Sequence, residues 1–165
     1  MATTPLKKMG NCGKGCCPDL KKALKGLDCL KGMDIEVLCP FFSMKNLPAG
    51  EVLFREGDEA AFMAFILSGK LEIKKQTEFP AKYFVLSILG KDSCVGEQAI
   101  SWDETAFRSA TATALEETEM VLLTRASFDD IYNKYPNVAA RLLKSLLHEI
   151  SFRLNAANER MAAVF

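Results

Sequence analysis

Glu97 and Arg108, with Asp103 and Glu104 between them, stand among mostly small and apolar side chains in the segment Val95 to Ala112. Their types and spacing point to recognition of an anion attached to a sugar. A guanidinium forks onto paired anionic oxygens better than an ammonium does. Gly96 lets the backbone come close to a ligand. Ala99 and Ile100 suit a turn lying on a sheet, and amides exposed at such a helical turn attract the same anion. A carboxylate is unsuited to that anion but accepts hydrogen bonds from sugar hydroxyls. Glu97 therefore fits a ribose and Arg108 a phosphate. After Arg108, residues Ser109 to Ala114 alternate as a strand does.

Rival chemistries find little support. His148 is the single histidine, so a metal site built from clustered histidines and carboxylates lacks its histidine cluster. No nucleophile, base and orienting group recur together, and the chain is read as a non-enzyme. Four of the six cysteines, Cys12, Cys16, Cys17 and Cys29, crowd near the N-terminus, with Cys39 and Cys94 beyond. Thiolates ligate zinc and iron–sulfur clusters, but this spacing fits no structural zinc pattern. Without a secretion signal a disulfide framework is not expected either. The expectation is unpaired thiols, no metal and no required cofactor, in a reducing cytoplasm, with a redox or metal sensor using Cys12, Cys16, Cys17 and Cys29 as the alternative.

The elements that position Glu97 and Arg108 come from the hydrophobic pattern. With 165 residues, 49% of them apolar, the chain can build one full core. Lys plus Arg number 21 and Asp plus Glu 21, so bulk charge draws it to neither nucleic acid nor membrane. No apolar run reaches spanning length. Residues 1–33 read as a Cys-rich arm and an amphipathic helix over Asp19 to Met33, with Leu20, Leu24, Leu27 and Leu30 on one face. Ile35 to Phe42 reads as a short helix stopped by Pro40. Residues 34–135 then carry the strands. Val52 and Phe54 alternate with Glu51, Leu53 and Arg55; Phe62 to Leu67 and Lys70 to Lys75 flank a tight turn at Ser68-Gly69; further strands follow at Lys82 to Leu89, Ser109 to Leu115 and Glu119 to Thr124. Short strands with glycine-marked turns predict a mainly β, α+β chain, a jelly-roll or double-stranded β-helix barrel. Ser127 is the expected N-cap of a helix running to Lys134. Pro136 opens a long last helix, residues 136–165, whose Leu143, Leu147, Ile150, Leu154, Ala157, Met161 and Val164 step by four and three. That seam predicts a homodimer, with Leu142 and Leu146 free to pack on the barrel.

The segment resembles the phosphate-binding cassette of cyclic nucleotide-binding domains. Gly96, Glu97, Ala99, Ile100, Arg108, Ser109 and Ala110 fit its pattern; Val95 stands where Phe is usual, Gln98 where an aliphatic residue is usual, and the gap from Glu97 to Arg108 is about one residue longer than the family's. Pro48 to Asp58 and Phe65 to Ile73 resemble the same barrel, so the likeness spans about Phe42 to Leu154. It implies a ligand such as cyclic AMP or cyclic GMP. The ribose 2′-hydroxyl would lie on Glu97, and the cyclic phosphate on Arg108, Ser109 and the amides near Gln98, Ala99 and Ile100. Arg153 to Arg160 resembles the long helix that follows the barrel in catabolite-activator-like regulators, where small polar residues contact the adenine. Here Asn158 is the residue whose amide can read a purine edge. Those regulators continue into a helix-turn-helix; this sequence stops at Phe165, so no DNA binding is expected and the output protein is unknown.

Overall fold

The computed structural model describes residues 18–27, 30–79, 82–100 and 106–163. The order is α1 (Pro18–Gly26), α2 (Ile35–Leu38), a 3-10 turn (Cys39–Phe41), β1 (Phe42–Leu47), β2 (Val52–Phe54), β3 (Phe62–Ser68), β4 (Leu71–Gln76), β5 (Tyr83–Leu89) and β6 (Cys94–Val95). A second 3-10 turn (Glu97–Ile100), β7 (Thr111–Ala114), β8 (Thr118–Thr124), α3 (Arg125–Lys134) and α4 (Pro136–Ala162) complete it. Two four-stranded antiparallel sheets form the roll, ordered β1-β8-β3-β6 and β2-β7-β4-β5. This is the mainly β architecture with flanking helices that the alternation predicts.

Why β3 and β8 are apolar almost throughout follows from what covers them. Ala64, Ile66, Met120 and Leu122 face the interior of the roll with Phe54, Leu71, Ala110 and Ala112. Their neighbours Met63, Phe65, Val121 and Leu123 face the opposite way, into a second core roofed by the helices. A strand buried on both faces loses the polar half of its alternation. Strand β5 is the opposite case, an edge strand with Tyr83, Phe84, Val85, Leu86 and Ile88 exposed. The β3–β4 turn requires Gly69: φ is +84°, and a Cβ would stand 2.5 Å from the Glu117 carbonyl oxygen.

Several boundaries differ from expectation. Helix α1 ends at Gly26, yet Leu27 and Leu30 stay buried beyond it. The second helical segment stops at Leu38 and passes through a 3-10 turn containing Pro40. Strand β1 was not expected from its sequence. Thr124, not Ser127, caps α3, its hydroxyl accepting the Ser127 N–H at 3.1 Å. Cys39 is buried and disulfide-bonded, which corrects the expectation of unpaired thiols; its turn packs into the helix-side core alongside Leu30. Its partner lies outside the described residues, as do Cys12, Cys16, Cys17 and Cys29 and any metal reading of them. Cys94 is a free, buried thiol.

Helix α4 spends its first half on the core through Ala139, Leu142 and Leu146. Arg141 donates to the carbonyls of Gly32 (3.1 Å) and Lys31 (3.2 Å), tying α4 to the N-terminal turns. The stepped row Leu143, Leu147, Ile150, Leu154 and Met161 faces solvent, between 38% and 65% exposed. Among the described residues no helix is long and apolar enough to cross a membrane.

Candidate functional site

Strand β6 delivers the chain to Gly96, whose φ of +79° turns it into the 3-10 turn. The Gly96 carbonyl accepts the Ala99 N–H at 3.0 Å, and Ala99 is fully buried beneath the turn. Across from it, Arg108 is pinned by its backbone: its N–H donates to the Asp58 carbonyl at 2.8 Å and its carbonyl accepts the Gly57 N–H at 2.9 Å. The Pro48 to Asp58 segment thus fixes where Arg108 leaves the sheet edge.

Arg108 turns inward and is 2% exposed. Its guanidinium carbon lies 4.1 Å from the ring centre of Phe54 and 4.8 Å from that of Phe62. Such ring faces attract a cation. Nη1 donates to the Gly96 carbonyl at 3.2 Å and Nη2 to the Phe62 carbonyl at 2.5 Å. Nε is buried and has no partner among the described residues. Burial pushes the guanidinium pKa down to about 10, while Glu97 and Asp58 pull it back up. At neutral pH the group is a buried cation whose Nε–H is unsatisfied, a costly arrangement that an anion would relieve.

The cassette residues expected from sequence come together. Glu97 is half-buried and near enough to bias the charge on Arg108. Gln98 Nε2 donates to Ser109 Oγ at 2.8 Å, bridging the turn and the following strand. Ala110 is buried inside the roll, and Ile100 leans on the helix-side core. Asn158 is exposed near the end of α4, and among the described residues no hydrogen bond joins it to the cassette. Residues 101–105, which connect the two halves of the cassette, lie outside the described residues. A cavity of about 970 Å³ adjoins the turn, running from Ile100 to Phe128 and Leu143.

Two contributions were not anticipated. The rings of Phe54 and Phe62 bracket the guanidinium from either side of the Gly57 turn; their aromatic type at inward strand positions was the available signal. The second is a contact between α4 and β6. Glu149 Oε1 accepts the Cys94 N–H at 2.8 Å and the Arg153 Nη2–H at 3.0 Å, and Arg153 also reaches Cys94 Sγ at 3.2 Å. Burial, then the nearby Glu149 charge, push the Cys94 thiol pKa up, so it stays protonated.

Residues 44–135, more than half the chain, match the family of the cyclic nucleotide-binding domain, and the chain belongs to it. Among relatives, it is 24% identical over 131 residues to the voltage-gated delayed rectifier potassium channel KCNH8 of Homo sapiens, covering 79% of this chain and 11% of the channel. It is 27% identical over 138 residues to the cyclic AMP receptor protein of Thermus thermophilus, covering 80% of this chain and 62% of the receptor. The chain thus spans about a tenth of the first relative and under two thirds of the second. A solved cyclic nucleotide-binding domain from Methylobacillus flagellatus shares the fold, with a TM-score of 0.74 at 20% identity, covering 89% of this chain and 83% of that one. Domains of this family are generally regulatory.

Proposed function

We propose that this chain is a non-catalytic, cytoplasmic sensor of a cyclic nucleotide, cyclic AMP first, acting as a homodimer through α4. The cyclic phosphate exchanges with the carbonyls now held by Arg108, meets its unpartnered Nε–H, and takes further hydrogen bonds from Ser109 and the amides near Ala99 and Ile100. Glu97 accepts from the ribose 2′-hydroxyl. Asn158 meets the base once α4 closes. The observation that carries this reading is the buried, incompletely satisfied guanidinium beside Glu97. The exposed row from Leu143 to Met161 supports the dimer, because solvent-facing leucines at this spacing form a coiled-coil seam; sedimentation equilibrium checks it.

Isothermal calorimetry with cyclic AMP and cyclic GMP tests the reading. Arg108→Ala is expected to weaken binding at least about tenfold, because a desolvated phosphate loses its charged partner. No heat from the parent protein at about millimolar ligand refutes it. A second reading, a scaffold of the same fold that binds no nucleotide, is favoured by the two carbonyl acceptors that already occupy Arg108. A melting temperature unmoved by either nucleotide would establish it, since a ligand that binds only the folded state raises the melting point.

A further inference from the structure

We infer that Gln98 is a positioning residue that aims the Ser109 hydroxyl proton at one non-bridging oxygen of the bound phosphate. This rests on the proposed reading of the site and adds a source of stereochemical preference to it.

The two residues face each other across the cassette, Gln98 on the 3-10 turn and Ser109 directly after Arg108. Gln98 Nε2 donates to Ser109 Oγ at 2.8 Å. A hydroxyl has one proton and two lone pairs. With one lone pair engaged by an amide N–H, its own proton must point away from that amide, because two donors repel. The Ser109 backbone is restrained as well. Lys75 Nζ donates to its carbonyl at 3.2 Å, and Lys75 is held in turn by Glu56 at 3.3 Å. Glu56 is itself fixed: it accepts the Gln76 N–H at 3.1 Å, and its own N–H donates to Thr111 Oγ1 at 3.0 Å. Ser109 is exposed, so its freed proton is available to a ligand seated on Arg108. An aliphatic side chain at position 98 leaves the hydroxyl free to spin, and a carboxylate there accepts the proton itself and repels the phosphate.

The experiment titrates the parent, Gln98→Leu, Gln98→Glu, Ser109→Ala and the Gln98→Leu/Ser109→Ala double variant with cyclic AMP and with its Rp and Sp phosphorothioates. Melting curves confirm that each variant is folded, and Gln98→Met replaces Gln98→Leu if that one is not. Ser109→Ala is expected to weaken cyclic AMP binding about tenfold in the parent and about twofold or less in the Gln98→Leu background. Gln98→Leu lowers the parent's Rp-to-Sp preference as far as Ser109→Ala does, and Gln98→Glu binds more weakly than Gln98→Leu. Equal Ser109→Ala losses in both backgrounds, or an unchanged diastereomer ratio in Gln98→Leu, show that Gln98 merely braces the turn and overturn the inference alone. A parent that binds none of the three ligands overturns the site reading and this role with it.

Discussion

Replacing Gly96 by alanine tests the seat of Arg108 without touching any side chain. Alanine at φ +79° carries left-handed strain of about 1–2 kcal/mol. Its Cβ would also fall inside contact distance of Arg108 Nη1 and stand 3.1 Å from the Phe62 carbonyl oxygen. The guanidinium must then leave the position in which it donates to both Gly96 and Phe62. A hydrogen bond from a charged group contributes about 1.5–3 kcal/mol. Losing one and weakening the other brings the total to about 3–5 kcal/mol. Gly57→Ala is the matched control: its φ is +85°, but nothing lies within 4 Å of the added carbon, so only the strain of about 1–2 kcal/mol applies. Urea unfolding of both variants gives the difference. At a slope of about 1–3 kcal/mol per molar, Gly96→Ala is expected to unfold at about 1–2 M less urea than Gly57→Ala. On an Arg108→Ala background the Gly96→Ala penalty should shrink toward that of Gly57→Ala, since the group it displaces is gone. Equal penalties for the two glycines in the parent, or a Gly96 penalty indifferent to Arg108, would refute the packing argument.

Burial lowers the Arg108 pKa from its ordinary value to about 10, so in the window between the two the unfolded chain binds more protons than the folded one. Stability should therefore rise with pH across that window. Nucleotide binding needs the charged form, so affinity should stay flat from about pH 6 to about pH 9 and fall as pH passes about 10; calorimetry across that range reads it directly. Glu149→Ala strips the buried Cys94 N–H of its acceptor. It is expected to destabilise the fold by about 1–3 kcal/mol and to speed amide exchange at Cys94 and Val95, seen by hydrogen–deuterium exchange. Reduction of the Cys39 disulfide should lower unfolding free energy by about 2–4 kcal/mol, and Cys39→Ser should melt identically with and without reductant.

What sequence revealed and what it hid divide along a physical line. Gly96, Glu97, Arg108 and Ser109 were legible because backbone freedom and charge type are local properties, and the fold brings them within one cassette. The runs in β3 and β8 were legible because burial on both faces leaves nothing polar to confuse the pattern. Strand β1 was hidden because only its end residues, Phe42 and Leu47, are buried, so alternation never develops. Leu27 and Leu30 kept helical spacing while the backbone left the helix at Gly26, since burial constrains side chains and not the path between them. The Cys39 disulfide and the inward turn of Arg108 depend on chain segments meeting in space, which no spacing along the sequence encodes. Gln98 looked like a departure from the cassette pattern, yet it found a partner in Ser109 that an aliphatic residue cannot have.

That last pairing and the Glu149 contact bear on how a binding event at Arg108 reaches α4. Gly96 lies two residues from Cys94, and its carbonyl is a direct acceptor of the Arg108 guanidinium. In the proposed function, a phosphate taking over that donor would strip the Gly96 peptide of a charged partner and free the turn to settle on the ligand. Cys94 is anchored to Glu149 and, through its sulfur, to Arg153. Any displacement of β6 is therefore felt one helical turn apart on α4, at the level of the exposed Ile150 and Leu154. A ligand shifts this equilibrium only by its differential affinity for the two arrangements. The Glu149–Cys94 hydrogen bond sets the scale of that difference, about 1 kcal/mol, enough to alter a balanced two-state population several-fold. Glu149→Ala should accordingly leave cyclic AMP binding measurable while uncoupling it from any change in α4.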